Sequence, residues 1–387
     1  MRYLVEDLPR RLGHPIRFDI LCGTSVGAIH ACYLAATAHQ GPERGRKLVE
    51  FWTSMKLEEV LPISLRDILA LPRRLLGLRR TAERMRSGEA PERLYGLFNT
   101  EPLERLVIGA IPWRSIRANV RQGLVDAVCV AATQIGTGHV VIFIEARERS
   151  LPRWTRDPTI VPRQTRLLPT HALASAAIPV LFPAVRVAST YYADGGLRLN
   201  TPLAPALRLG ADRVLVVSLR QNPQQASEAA LAEQRVGDYG SPLFLFGKVL
   251  NALLLDHIDT DLARMRVMNE ILSDGEKAYG PEFLERINEV AGRERGQQFR
   301  RIDDVVIRPS ADLGVLAGQI LRNISGTRGR SPLLRLAARN LAGGGRGQES
   351  DLLSYLLFDG EFLAPLAELG FSDARSREEE LCRFFSD

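Results

Sequence analysis

The chain has 387 residues, of which 45% are hydrophobic, 25% charged and 6% aromatic. That balance describes a folded globular protein, large enough for one elaborated α/β domain or two ordinary ones, and excludes disorder over most of its length. The net charge of +6 comes mainly from arginine, without the aromatic or motif-level readers of nucleic-acid binding, so nucleic acid is not an expected partner.

The opening MRYLVEDLPRRLG carries acids and arginines where a signal peptide has its apolar core. No run of 18 uncharged apolar residues occurs, so no membrane span is predicted. Cys22, Cys32, Cys129 and Cys382 have no metal-ligand spacing, and three of them lie in apolar runs. They read as reduced, buried thiols of a cytoplasmic protein, with no metal and no cofactor expected.

Residues 3–12 read as the later turns of an amphipathic helix ending near Gly13, with Pro15 following. IRFDILC then reads as a buried strand and VGAIHACYLAATAH as a helix with a face of small residues. Strand, tight turn and helix in close succession are the pattern of a β-α unit in a mostly parallel sheet. Residues 41–120 are helical, proline-broken and basic, an insertion over one edge of that sheet. Within them RRLLGLRRTAERMR, residues 73–86, holds six arginines against one acid. Interleaved with leucines, it reads either as a basic amphipathic segment for an anionic lipid surface or as a solvated helix face.

DAVCVAATQIGTGHVVIF, residues 126–143, gives two β-branched runs around Gly-Thr-Gly, a hairpin signal. HALASAAIPVLFPAVRV reads as a short small-residue helix broken at Pro179 and followed by a strand. TYYADGGLRLNTPLAPALRLGADRVLVVSL supplies a strand end, a glycine turn, a helix and another buried strand. Beyond residue 220 come a polar linker, a leucine-rich helical stretch at 243–271, the strand DDVVIRPS, a glycine-rich surface loop near 342 and a helical tail. The expected division is 1–220 as a catalytic domain and 221–387 as a mostly helical region packing on it or extending it.

GTSVG, residues 23–27, is a G-x-S-x-G pentapeptide between a buried strand and a helix. In a nucleophile elbow Ser25 sits on a sharp corner, where side chains at Gly23 and Gly27 would clash across the turn. Its hydroxyl then lies at a helix N-terminus, which favours developing negative charge. A structural glycine turn at a helix start is the plain alternative. In YYADGG, Asp194 stands just beyond an apolar strand, and Gly195 and Gly196 let the backbone turn so that the carboxylate faces a neighbouring site. An ordinary aspartate-glycine turn would look the same.

Taken in order, GTSVGAI, ASAAIPVLFP and the DGG ahead of LNTPL resemble the successive blocks of the patatin-like phospholipases, and AATQIGTGHVVIF and LGADRVLVVSL resemble that family too. The resemblance covers residues 3–220. It implies an α/β fold, a Rossmann-type three-layer sandwich with a mostly parallel central sheet and, here, a helical C-terminal extension. It also implies a serine-aspartate dyad that hydrolyses acyl esters of membrane lipids without metal or cofactor. Ser25 would be the nucleophile and Asp194 the group that accepts its proton. Residues 73–86 would make peripheral membrane contact, and the stretch 243–271 would suit covering an acyl channel.

Members of the family carry a first strand and a glycine-rich loop upstream of the helix that precedes the elbow strand, and that loop forms much of the oxyanion hole. MRYLVEDLPRRLG aligns with the body of that helix, so strand and loop are expected to be missing. Val26 N–H would remain as one oxyanion donor, and neighbouring strand edges would be left unpaired. Two other readings stand beside the dyad. A Ser-Asp-His esterase needs a histidine after the acid, and His257 is the only one. It sits in a helical context suited to solvation or capping. His30 faces another side of the elbow helix, and His171 caps or packs at its own helix. The other reading is a non-catalytic lipid-surface binding homologue.

Overall fold

The runs ILCGT, AVCVAATQ and VVIFIEA are almost wholly apolar, the composition of strands covered on both faces. In the computed structural model they form the middle of a sheet flanked by helices. The structure describes residues 1–61, 93–94, 96–148, 151, 157–199, 201–221, 247–250, 252, 258–295, 298–324 and 355–386. The basic stretch 73–86, His257 and the glycine-rich segment near 342 lie outside the described residues.

Two short helices open the chain, α1 (Arg2–Glu6) and α2 (Leu8–Leu12), the second ending at a left-handed Gly13. Strand β1 (Ile20–Thr24) leads through Ser25 into α3 (Val26–Ala36). Helices α4 (Arg44–Thr53), α5 (Leu57–Val60), α6 (Glu101–Ala110) and α7 (Trp113–Gln122) follow. The predicted hairpin forms as β2 (Ala127–Gln134) and β3 (Val140–Ala146), with β4 (Ile160–Gln164) beside it. The small-residue helix is α8 (Pro169–Ser175), before β5 (Val185–Val187) and β6 (Thr190–Asp194). A 3-10 turn (Gly195–Leu197), α9 (Leu203–Arg208) and β7 (Arg213–Val217) complete the first half. Later come α10 (Ile258–Tyr279), α11 (Phe283–Arg295), β8 (Asp303–Ile307), α12 (Leu313–Ile324), α13 (Gly360–Arg375) and α14 (Glu378–Ser386).

The α/β class is as expected, but the main sheet is mixed rather than mostly parallel. Its order is β4-β3-β2-β6-β5, with β1 also on β2. Only β1–β2 and β3–β4 run parallel; β2–β3, β2–β6 and β5–β6 are antiparallel. The physical reason is connection length: the few residues between β2 and β3, and between β5 and β6, allow a hairpin but no crossover. A second correction concerns β7, expected to be buried. Among the described residues it pairs only with β8, in a separate parallel two-stranded sheet, and leaves Arg213 and Val217 exposed.

The main core lies between the sheet and α3, α7 and α8, around Cys32, Val128, Phe143 and Tyr192. A second cluster joins Leu4 and Leu8 to Val305, Ile307, Ala374 and Leu381, so β8 and the last two helices pack on the first two. A third holds Ile258, Leu262 and Met265 of α10 against Val214, Val216 and Val306. Of the leucine-rich stretch, residues 258–265 therefore cover the small sheet, while Leu250 packs in the main core. All four cysteines are free thiols, Cys32 and Cys129 fully buried. Among the described residues no helix is long and apolar enough to cross a membrane.

Candidate active site

Strand β2 has two edges, and β3 occupies the whole of one. The other is shared. β1 runs parallel along residues 127–131 and stops with Thr24 opposite Ala131. β6 arrives antiparallel along residues 132–134 and stops with Asp194 opposite Ala132. The two strands thus meet head to head, and the residues that leave them, Ser25 and the Asp194 side chain, come together although 169 positions separate them in the sequence.

At the elbow Ser25 has φ 55° and ψ −130°, a region that costs a non-glycine residue about 1–3 kcal/mol and is occupied only where neighbours enforce it. The corner is tight: a Cβ on Gly23 would lie 2.1 Å from the Gly27 carbonyl oxygen. At Gly27 itself a Cβ would meet nothing within 4 Å, so the two glycines of the pentapeptide are unequal. Thr24 Oγ1 donates to the Leu199 carbonyl (2.8 Å), tying the elbow to the segment after Asp194. Val26 is the first residue of α3, where a backbone N–H has no intrahelical acceptor and the helix dipole favours negative charge.

Asp194 is 1% exposed. Its backbone is held on both sides: the N–H donates to the Ala177 carbonyl (2.8 Å), and the carbonyl accepts from Thr133 Oγ1 (2.9 Å). Of its carboxylate oxygens, Oδ1 accepts the Gly196 N–H at 2.7 Å, while Oδ2 is buried without a hydrogen-bond partner among the described residues. Burial pushes the Asp194 pKa up to about 6, against the opposing pull of the Ser25 hydroxyl and the Gly196 N–H. The serine hydroxyl therefore faces the carboxyl and influences it, short of a well-formed bond to Oδ2. Gly195 makes the approach possible, since a Cβ there would lie 2.3 Å from the Ala131 carbonyl oxygen and 2.9 Å from Thr24 Cγ2.

Ser25, Val26, Gly27 and Asp194 open onto a cleft of ≈ 2070 Å³, above the roughly 300–1,000 Å³ of ordinary small-molecule sites. Apolar side chains dominate its wall, among them Ile29, Leu34, Phe182 and Phe358. β1 and β7 also line it. Among the described residues β1 pairs only with β2 and β7 only with β8, so the edges each turns to the cleft carry no ladder.

Among the described residues, His171 and His30 have partners other than Ser25 and Asp194. Nδ1 of His171 accepts the Leu168 N–H at 2.9 Å, its ring packs 4.5 Å from Phe143, and burial lowers its pKa to about 4. That is the capping and packing role expected of it. His30 meets Trp52 edge-on at 5.5 Å, and burial lowers it to about 4 as well. One residue went unnoticed in the sequence: Ser175, wholly buried at the end of α8, whose Oγ accepts the Ser25 N–H (2.9 Å) and donates to the Ala131 carbonyl (2.6 Å). A lone serine among the alanines of ALASAA was the available signal.

Fold and site together define an α/β protein whose buried carboxyl adjoins a serine at a strand-to-helix corner. Patatin-like phospholipase matches residues 2–207, and the chain belongs to that family. It is 30% identical over 201 residues to a cGAMP-activated phospholipase of Pseudomonas aeruginosa, a stretch covering 51% of this chain and 49% of that protein. The chain thus spans about half the length of this relative. Among solved structures, VipD from Legionella pneumophila aligns over 92% of this chain and 88% of its own, at 12% identity and a TM-score of 0.25. At the level of the family, the class is one of lipid-ester hydrolysis.

Proposed function

We propose that this chain is a serine acyl hydrolase that cleaves ester bonds of membrane phospholipids, with Ser25 as nucleophile and Asp194 as its general base. The observation that carries the reading is the head-to-head arrangement of β1 and β6 on one edge of β2, which sets a serine at a strained helix N-terminus against a buried carboxyl raised to about 6. Asp194, ionised above that pH, takes the Ser25 proton as Oγ attacks the ester carbonyl. The oxyanion develops beside the Val26 N–H and the N-terminus of α3. Collapse gives an acyl-serine and expels the alcohol, which leaves with the proton from Asp194. Water, deprotonated by the same carboxylate, attacks the acyl carbon, and collapse releases the fatty acid as Ser25 Oγ leaves and takes the proton back from Asp194. The apolar cleft would accept the acyl chain, and residues 73–86 would hold the protein at an anionic bilayer.

The test pairs the wild-type chain with Ser25→Ala on a short-chain chromogenic ester and on phospholipid vesicles, with mass spectrometry locating a fluorophosphonate adduct. Turnover and labelling that both vanish in Ser25→Ala are expected. Hydrolysis that survives the substitution would overturn the assignment, and a folded chain that binds vesicles without turnover or labelling would make it a lipid-surface binding protein instead.

A further inference from the structure

The backbone of Ser25 holds a conformation that few residues adopt without help, and its N–H points at one partner, the Ser175 hydroxyl. The direction of that contact is unambiguous. An N–H can only donate and a carbonyl can only accept, so the Ser175 oxygen receives the Ser25 N–H while its own hydrogen goes to the Ala131 carbonyl. The first has the ordinary N–H···O length of 2.9 Å, the second is short at 2.6 Å, and Ser175 is 0% exposed. Ala131 is also the residue opposite Thr24 in the β1–β2 ladder and the one whose carbonyl limits the space at Gly195. One side chain from α8 thereby links the elbow, the central strand and the turn after Asp194.

We infer that Ser175 is a positioning residue for the nucleophile: it fixes the Thr24–Ser25 peptide plane, and so aims Ser25 Oγ at Asp194 and sets the Val26 N–H beside the reacting carbon. The inference rests on the hydrolase reading of Ser25 and Asp194. With both hydrogen-bonding directions committed, the Ser175 hydroxyl is not itself a nucleophile. Removing it takes the partner from a part-buried donor, the Ser25 N–H, and from the buried Ala131 carbonyl, and the Ser25 peptide is then free to relax from its unfavourable angles.

The experiment compares wild type, Ser175→Ala and Ser175→Thr. In Ser175→Ala, kcat and the rate of fluorophosphonate labelling per active site should fall about 10- to 100-fold, the scale of a misplacement of about 1 Å, with KM within about twofold. Ser175→Thr, which keeps the hydroxyl, should recover part of that loss. The acid limb of kcat/KM should move to higher pH in Ser175→Ala, because the Ser25 hydroxyl that lowers the Asp194 pKa no longer faces it. Wild-type rates in Ser175→Ala, or a loss explained wholly by fewer active sites at an unchanged rate per site, would overturn the inference. Hydrogen exchange at the Ser25 amide separates this from the functional reading. The amide should be protected in wild type and exchange at least ~10-fold faster in Ser175→Ala, as expected when a local hydrogen bond is lost. An unprotected Ser25 amide in wild type overturns the clamp with no variant needed. A wild-type chain that takes no label at Ser25 overturns the hydrolase reading, and with it the catalytic half of the inference.

Discussion

At the scale of the residue, the proposed function makes Asp194 act on activity and stability with opposite signs. Its pKa rises from 3.8 to about 6 on folding because burial disfavours the charge. Between those values the folded chain holds a proton that the unfolded chain has released, so this group's contribution to stability is present below pH 4 and is lost as pH rises through about 6. Above pH 6 the cost is roughly 3 kcal/mol. Asp194→Asn has no charge to desolvate and keeps an acceptor for the Gly196 N–H. Under the proposed function it should abolish hydrolysis yet melt higher than wild type at pH 7–8, with the difference shrinking toward pH 4. Equal melting temperatures at both pH values would contradict the buried, ionised carboxylate. Wild-type kcat/KM should fall below pH 6 as Asp194 takes up its proton. The elbow glycines offer a second expectation. Gly23→Ala forces a Cβ against the Gly27 carbonyl, while a Cβ at Gly27 enters open space. The first should cost about 1–3 kcal/mol and most of the Ser25 labelling; the second should label at near the wild-type rate. Similar loss in both would show that the corner is not held as described.

At the scale of the element, the site depends on two strands ending at one point of a third and on a helix fixed at both ends. The N-terminus of α3 follows the elbow. Its C-terminus is held by Asn119 of α7, which is 2% exposed and donates through Nδ2 to the Ala35 (2.7 Å) and Ala36 (3.0 Å) carbonyls. Asn119→Ala removes the donor for two buried carbonyls and should destabilise the fold by about 1–3 kcal/mol in urea titration. Because the lost bonds lie at the far end of α3, the rate of Ser25 labelling in the folded variant should stay at the wild-type level. A slowed rate at full folding would mean that the helix transmits strain to the elbow.

At the scale of the whole molecule, the last helices belong to the first ones. Leu381 of α14 is 0% exposed and packs in the cluster that contains Leu4 and Leu8, and the Tyr3 hydroxyl donates to Glu378 at 2.5 Å. A chain cut after residue 220 would strip β7 of its partner and this cluster of its roof. The single substitution Leu381→Ala tests the coupling with less damage. It should lower unfolding free energy by about 2–5 kcal/mol, the range of a buried leucine truncation, and a change under about 0.5 kcal/mol would show the tail to be peripheral.

How much of this was legible in the chain follows the range of the forces. The elbow was legible because its demands are local: Gly23, Ser25 and Gly27 meet within one turn, and a buried strand and a small-residue helix flank them. The β2–β3 hairpin was legible for the same reason. Asp194 and its glycines could be singled out as a turn, and the order of the blocks gave it a partner. The residues that hold the pair in place could not be read so. The Ser175 bond to Ser25 spans 150 positions, that of Thr133 to Asp194 spans 61, and β7 finds β8 some ninety residues later, with Leu215 opposite Val305. Periodicity shows which face of an element is apolar, but not which edge it shares or in which direction it runs. The sequence by itself determined the α/β class, the strained corner and the serine on it. Only the tertiary structure decided that the sheet is mixed, that β1 and β6 end against the same edge of β2, and that a buried carboxyl, raised by its own desolvation, lies where they meet.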